Sequence, residues 1–181
     1  MQIATPRPIE WPTLAILAAT YALWLIGTSV WHLSGPLAMV MTVLAIAQFS
    51  SLQHEVLHGH PFASQRLNEA LVFPALTLVV PYIRFRDMHL RHHHDPSLTD
   101  PYDDPEANYM DPQVWARTPR LMQMILRMNN TLLGRIVLGP AVSTFGFVKS
   151  DAAAIWAGDR GIGRAWALNG LGVGLVLLWL W

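Results

Sequence analysis

The sequence predicts an all-α integral membrane protein, and two observations support this. Hydrophobic residues make up 52% of the 181 residues and charged residues only 13%, against about a quarter charged in soluble domains. No Asp, Glu, Lys or Arg lies between Glu10 and Glu55, a gap wide enough for two helical spans of about 20 residues each. The formal net charge is zero, and the basic patch of a nucleic-acid-binding protein is absent.

The two predicted spans in this gap form a transmembrane hairpin over residues 13–53. The first span, residues 13–30, is bracketed by Trp11 and Trp31, about 30 Å apart along a helix and thus at the levels of two interfacial aromatic belts. The motif HLSGP turns the chain. The second span, residues 37–51, runs directly into a histidine motif, which we expect on a helical extension leaving the bilayer.

The rest of the chain is predicted to contain one further span. Residues 70–83 are too short to cross and are interrupted by two prolines, so they lie at the interface or dip and return. Residues 95–112, with four prolines and six acidic residues, are predicted to be an exposed loop. Residues 119–135 have the pattern of a helix on the membrane surface, and the apolar run at 136–148 is short. The uncharged residues 165–181 form the predicted third span.

These elements predict one domain over residues 1–181, with a cytoplasmic and interfacial region at 54–164. The loop of the hairpin carries no Lys or Arg, whereas the second span is followed by several arginines, which places the histidines on the cytoplasmic side by the positive-inside rule. The third span then leads away from the cytoplasm and ends at Trp181. Since an end at the far membrane face without a tail is unusual, we expect the chain to be a fragment. The arginines concerned are Arg66, Arg84, Arg86 and Arg91.

Seven of the eight histidines fall in two tight clusters. Residues four apart share one helix face, so the first cluster, in the stretch HEVLHGH, predicts two ligands for one metal. The second cluster, HLRHHH, repeats this spacing. Imidazole suits iron, zinc, copper or nickel, and the chain has no cysteine to supply thiolates. The candidate metal ligands are His54 and His58, then His89, His92 and His93, and, beside the core spacing of each cluster, His60 and His94.

The first cluster alone also matches H-E-x-x-H, the zinc-hydrolase signature, in which Glu55 would be the general base. A catalytic zinc takes about four ligands including water, and this motif leaves the second cluster unexplained. Glu55 is therefore expected to be solvated or to orient a ligand. The same two roles are considered for Asp87 and Asp95, which flank the second cluster, with an exposed, solvated carboxylate as the default. The acidic loop is expected to be solvated, and His32 to be structural.

The two clusters resemble the first two histidine boxes of the membrane fatty acid desaturase and hydroxylase family, and DPSLTDPYDDPE is similar to the loop after its second box. The resemblance covers residues 45–107 specifically. It implies a non-haem di-iron centre, dioxygen, a ferredoxin or cytochrome b5 type electron donor, and attack on a C–H bond of a fatty acyl or similar lipid chain. The family has a third box, which this sequence does not contain, in agreement with the expected truncation.

On this basis the chain is predicted to be an oxygen-dependent oxidoreductase, with desaturation favoured over hydroxylation. Two alternatives remain at this stage. One is a membrane zinc peptidase that uses His54, Glu55 and His58. The other is a truncated membrane protein without catalytic activity.

Overall fold

The computed structural model describes residues 9–107 and 109–181, and within these ranges it contains nine α-helices and no β-strand. The all-α prediction is confirmed. Two compact units make up the chain, one of residues up to 86 together with 166–181, the other of residues 87–165. The helices are α1 Trp11–Ser29, α2 Gly35–Leu57, α3 Gln65–Leu71, α4 Tyr82–His94, α5 Pro112–Arg117, α6 Arg120–Asn129, α7 Leu132–Val137, α8 Gly139–Trp156 and α9 Arg160–Leu180.

Three of the described helices, α1, α2 and α9, are long and apolar enough to cross a membrane. They correspond to the three predicted spans. The turn between α1 and α2 ends at Ser34, whose hydroxyl accepts a hydrogen bond from the amide of Leu37 and caps α2. Helix α9 begins at Arg160, five residues before the predicted start, because Asp159 caps its first turn by accepting from the amide of Ile162.

The core of the first unit is formed where α1, α2 and α9 meet the segment after α3. Phe49 of α2 is fully buried and its ring lies 5.6 Å from that of Tyr21, edge to face. The Tyr21 hydroxyl donates to the carbonyl of Leu71 at 2.6 Å, which ties α1 to the end of α3. The buried cluster is Leu17, Trp24, Ala45, Phe49, Leu52, Val56, Val72, Leu76 and Val176.

The predicted short apolar stretch at 70–83 contains no spanning helix. Helix α3 ends at Leu71, and residues 72–81 are not helical, as Pro74 and Pro81 require. Their backbone groups are partly satisfied from α9, where the Asn169 side chain donates to the carbonyl of Leu78 at 3.1 Å. Helix α4 then begins at Tyr82 and carries the second histidine cluster.

In the second unit, the helical pattern at 119–135 is interrupted. Helix α6 ends at Asn129, and Thr131 begins a new helix, α7, by accepting a hydrogen bond from the amide of Gly134 at 3.0 Å. The expectation of one continuous helix is therefore wrong at this point. Most of the apolar run predicted at 136–148 lies in α8, which begins at Gly139 and continues beyond the run, through Lys149 and Asp151, to Trp156.

Candidate metal centre

The first histidine box lies at the C-terminal end of α2. The imidazole rings of His54 and His58 are 4.7 Å apart between centroids and meet edge to face, as residues one helical turn apart do. Phe49, Leu52 and Val56 anchor the opposite face of the helix in the core. The predicted helical extension is thus present, and it presents two imidazoles side by side.

Helix α2 stops at this box through a Schellman motif. The amide of Gly59 donates to the carbonyl of Val56 at 3.1 Å, and the amide of His60 to the carbonyl of Glu55 at 3.4 Å. Gly59 has φ +92°, the left-handed conformation that glycine adopts without a Cβ penalty. The helix therefore ends just before Gly59, and His58 is the capping residue.

The side chains of Glu10 and Asn68 bind the residues that follow the end of α2. Nδ1 of His60 is 2.6 Å from Oε1 of Glu10, just before α1. Asn68, fully buried in α3, accepts from the amide of Phe62 at 2.8 Å and donates to its carbonyl at 2.9 Å. Composition and spacing gave no signal for either contact, and both fix the chain that follows box one.

The second box lies on α4, in the other unit. Nε2 of His93 is 2.9 Å from Nε2 of His89, with ring centroids 4.5 Å apart. The ring of His92 lies 6.2 Å from that of His89 and 5.9 Å from that of His93. The three imidazoles therefore share one side of the helix, as their spacing predicted.

Two carboxylates of the acidic loop contact the Nδ1 atoms of two imidazoles in this box. Oδ1 of Asp104 is 2.7 Å from Nδ1 of His92, and Oε1 of Glu106 is 2.8 Å from Nδ1 of His89. The side chain of Asp104 is only 2% exposed. The described part of the loop before Pro112, where α5 begins, has no helix or strand, as predicted. The expectation that the loop is simply solvated is wrong for Asp104.

These contacts change the proton affinities of the pair. The hydrogen bond to Asp104 raises the pKa of His92, with further contributions from the negative charges of Asp104, Glu106 and Asp95. The pKa of Asp104 is lowered, first by the backbone amide of Thr99 and then by the amide of Glu106 and by His92. Asp104 is therefore ionised at neutral pH and a strong acceptor.

The remaining candidates have other contacts. Nδ1 of His94 points back to the Leu90 carbonyl of its own helix. The side chain of Asp95 accepts a hydrogen bond from the amide of Ser97 at 2.8 Å. Oε1 of Glu55 is 3.8 Å from Nδ1 of His54, beyond hydrogen-bond distance. His32 lies in the turn between α1 and α2.

The donor set fits a metal ion that takes imidazole nitrogen. Metal–imidazole bonds are about 2.1 Å long, so two at a right angle place their nitrogens about 3.0 Å apart. The 2.9 Å between the Nε2 atoms of His89 and His93 matches this separation. Since Nδ1 of His89 is directed at Glu106, Nε2 is the nitrogen that would bind a metal.

Helical spans and two histidine clusters on helices define an integral membrane protein with the ligand types of a non-haem metal site. The family model described as fatty acid desaturase matches residues 29–181. The chain therefore belongs to the fatty acid desaturase family, and the resemblance to that family is confirmed. Searches of curated proteins and of solved structures return no match to this chain. Membership identifies a desaturase-type oxidoreductase in general, with a lipid substrate and a membrane setting.

Proposed function

We propose that the protein is an oxygen-dependent desaturase of fatty acyl or related lipid chains that works through a histidine-ligated di-iron centre. The observation that carries this proposal is the pair of Nε2 atoms of His89 and His93, 2.9 Å apart on a helix of a desaturase-family chain. Nitrogen-only donors without thiolate suit iron used in oxygen chemistry. Hydroxylation is the nearest alternative reaction.

The proposed ligands are the histidines of both boxes. When bound, the two irons would activate dioxygen and remove hydrogen from the lipid chain. The described residues hold the ligands: the Schellman motif at Gly59 fixes the end of α2, and the loop carboxylates fix the Nδ1 side of box two. The full proposed set is His54, His58, His89, His92 and His93, with His60 and His94 beside them.

The family and the membrane setting support a lipid substrate, and the electron donor is proposed from the family resemblance. A lipid chain enters from the bilayer, and a ferredoxin or cytochrome b5 type protein delivers the electrons from the cytoplasm. The arginines after the second span support this sidedness, since Lys and Arg are enriched in cytoplasmic segments. Arg86 also contacts the Glu69 carboxylate of α3, at the beginning of the helix that carries box two.

The proposal is tested by measuring metal content in protein purified anaerobically in detergent. We expect iron, and we expect His93→Ala to lose most of it. His32→Ala is the matched control, because His32 lies in the inter-span turn, and it should keep the wild-type iron content. New double bonds in the lipids of an expressing host, absent with His93→Ala, would establish desaturation.

The same experiment distinguishes the two alternatives. A zinc peptidase predicts bound zinc, loss of activity in Glu55→Gln and unchanged metal in His92→Ala. A protein without catalytic activity predicts no bound metal and equal lipid profiles with and without expression. Stoichiometric zinc with no iron would overturn the desaturase proposal.

A further inference from the structure

The acidic loop has a more specific structure than its composition indicates. Asp104 accepts hydrogen bonds from the amide of Thr99 at 3.0 Å and from the amide of Glu106 at 2.9 Å, which closes the loop around its carboxylate. The same side chain contacts Nδ1 of His92. The loop is therefore folded around a group that is itself directed at the second histidine box.

We propose that Asp104 and Glu106 are positioning residues for the second box, each holding one imidazole by Nδ1 so that Nε2 is the metal-binding atom. This inference rests on the proposed function, because it assigns the loop a role toward the iron ligands. Both contacts are made at Nδ1 and have similar lengths, 2.7 Å for Asp104 with His92 and 2.8 Å for Glu106 with His89. They come from residues two apart in a single turn of the loop.

The chemistry of imidazole makes such contacts informative. A neutral imidazole has one N–H and one acceptor nitrogen, and the hydrogen bond at one nitrogen decides which atom is left for a metal. A carboxylate at Nδ1 keeps the proton there and leaves the lone pair on Nε2. It also fixes the ring orientation and raises the basicity of the ligand, and loss of such a partner typically costs about 10–100-fold in metal affinity.

Glu106 gives the cleaner test, because replacing Asp104 also removes the acceptor of two loop amides. The affinity for ferrous iron is measured anaerobically by chelator competition in the wild type, Glu106→Ala, Glu106→Gln and Asp103→Ala. Asp103 is the matched control, an exposed acidic residue of the same loop. We expect Glu106→Ala to bind iron about 10–100-fold more weakly, and Asp103→Ala to bind as the wild type does.

Glu106→Gln should recover part of the affinity, since the amide oxygen still accepts the Nδ1–H hydrogen bond. The second readout needs no metal: ¹⁵N NMR of labelled histidine at about pH 9, where free imidazole is neutral. Nδ1–H should be the tautomer of His89 in the wild type and should lose its predominance in Glu106→Ala. A purely structural role of the loop would not move this signal.

The outcomes separate this inference from the proposed function. If the wild type binds iron and His93→Ala loses it, while Glu106→Ala keeps both the affinity and the tautomer, the positioning role is overturned alone. Complete loss of iron in Glu106→Ala without recovery in Glu106→Gln would make Glu106 a ligand and also overturn it. A wild type that takes up no iron overturns the proposed function and this inference with it.

Discussion

Nδ1 of His60 lies 2.6 Å from Oε1 of Glu10, although 50 residues separate them in the sequence. The amide of Glu10 also donates to the carbonyl of Pro61 at 3.2 Å. Two hydrogen bonds, one from a side chain and one from the backbone, thus connect the start of α1 to the residues after box one. This contact fixes one of the two histidines that lie beside the core spacing of the boxes.

A double-mutant cycle of Glu10→Gln and His60→Gln should give a coupling energy of about 0.5–1 kcal/mol, since the hydrogen bond is partly exposed to solvent. The side chains are 34% exposed for His60 and 43% for Glu10. The free energy of unfolding in detergent, measured for the wild type, both single variants and the double variant, gives the coupling. Strictly additive effects would show that the contact does not stabilise the protein.

The same two variants test whether His60 is an iron ligand. If it is, His60→Gln should lower the iron affinity strongly, and Glu10→Gln should lower it less, because Glu10 acts only through the imidazole orientation. The measurement is the anaerobic chelator competition described above. Iron binding in His60→Gln equal to that of the wild type would remove His60 from the ligand set.

The parts of the site that depend on helical period could be predicted from the sequence. Three spans follow from hydropathy, and the side-by-side placement of His54 with His58 and of His89 with His93 follows from 3.6 residues per turn. Gly59 is a recognisable helix stop for the same local reason. These features need no knowledge of distant contacts.

The contacts of the acidic loop could not be predicted in this way. Six acidic residues and four prolines exclude a regular element, but a segment without a period gives no indication of which carboxylate is buried. Asp104 and Glu106 contact histidines that lie 12 and 17 residues before them in the sequence. Chain reversal over that distance is a tertiary property.

The first turn of α5 should depend on pH through Asp111. Its pKa is lowered by the amides of Gln113 and Val114 and by a hydrogen bond from Tyr102. A lowered pKa means that the stabilisation is present above the unfolded value of about 3.9 and is lost as pH falls through the folded value. Hydrogen exchange of the two capped amides, corrected for intrinsic rates, should therefore accelerate in acid.

Asp111→Asn is the control for this pH effect, because its amide oxygen still caps the helix but does not titrate in this range. Its two amides should exchange with the same corrected rates near neutral pH and in acid. Equal acid sensitivity in Asp111→Asn and in the wild type would show that another group controls the fraying of α5.

Gly172 allows α9 to approach the non-helical segment after α3. A methyl group there would overlap the carbonyl of Phe73 and lie 3.3 Å from Cβ of Ala75, whereas one on Gly174 meets nothing within 4 Å. We expect Gly172→Ala to lower the free energy of unfolding by about 1–3 kcal/mol. Gly174→Ala is the matched control and should be neutral or stabilising, since Ala favours helix over Gly. Equal stability of the two variants in thermal unfolding would contradict this packing.

Replacement of Gly59 should weaken both the fold and the first box. At φ +92° an alanine is strained by about 1–2 kcal/mol, and relief of that strain would break the Schellman hydrogen bonds that fix His58 and His60. We therefore expect Gly59→Ala to lower both the unfolding temperature and the iron affinity. Gly59→Asn should lose less, because asparagine tolerates the left-handed region better.

Gly146→Ala provides the control for Gly59→Ala, since a methyl group in the middle of α8 meets nothing within 4 Å. It should leave iron affinity unchanged and raise stability slightly. If Gly59→Ala is destabilised but binds iron as tightly as the wild type, metal binding does not depend on how α2 ends. In that case the backbone around residue 59 would relieve the strain without moving the His58 imidazole, and the orientation of His58 would not depend on the Schellman motif.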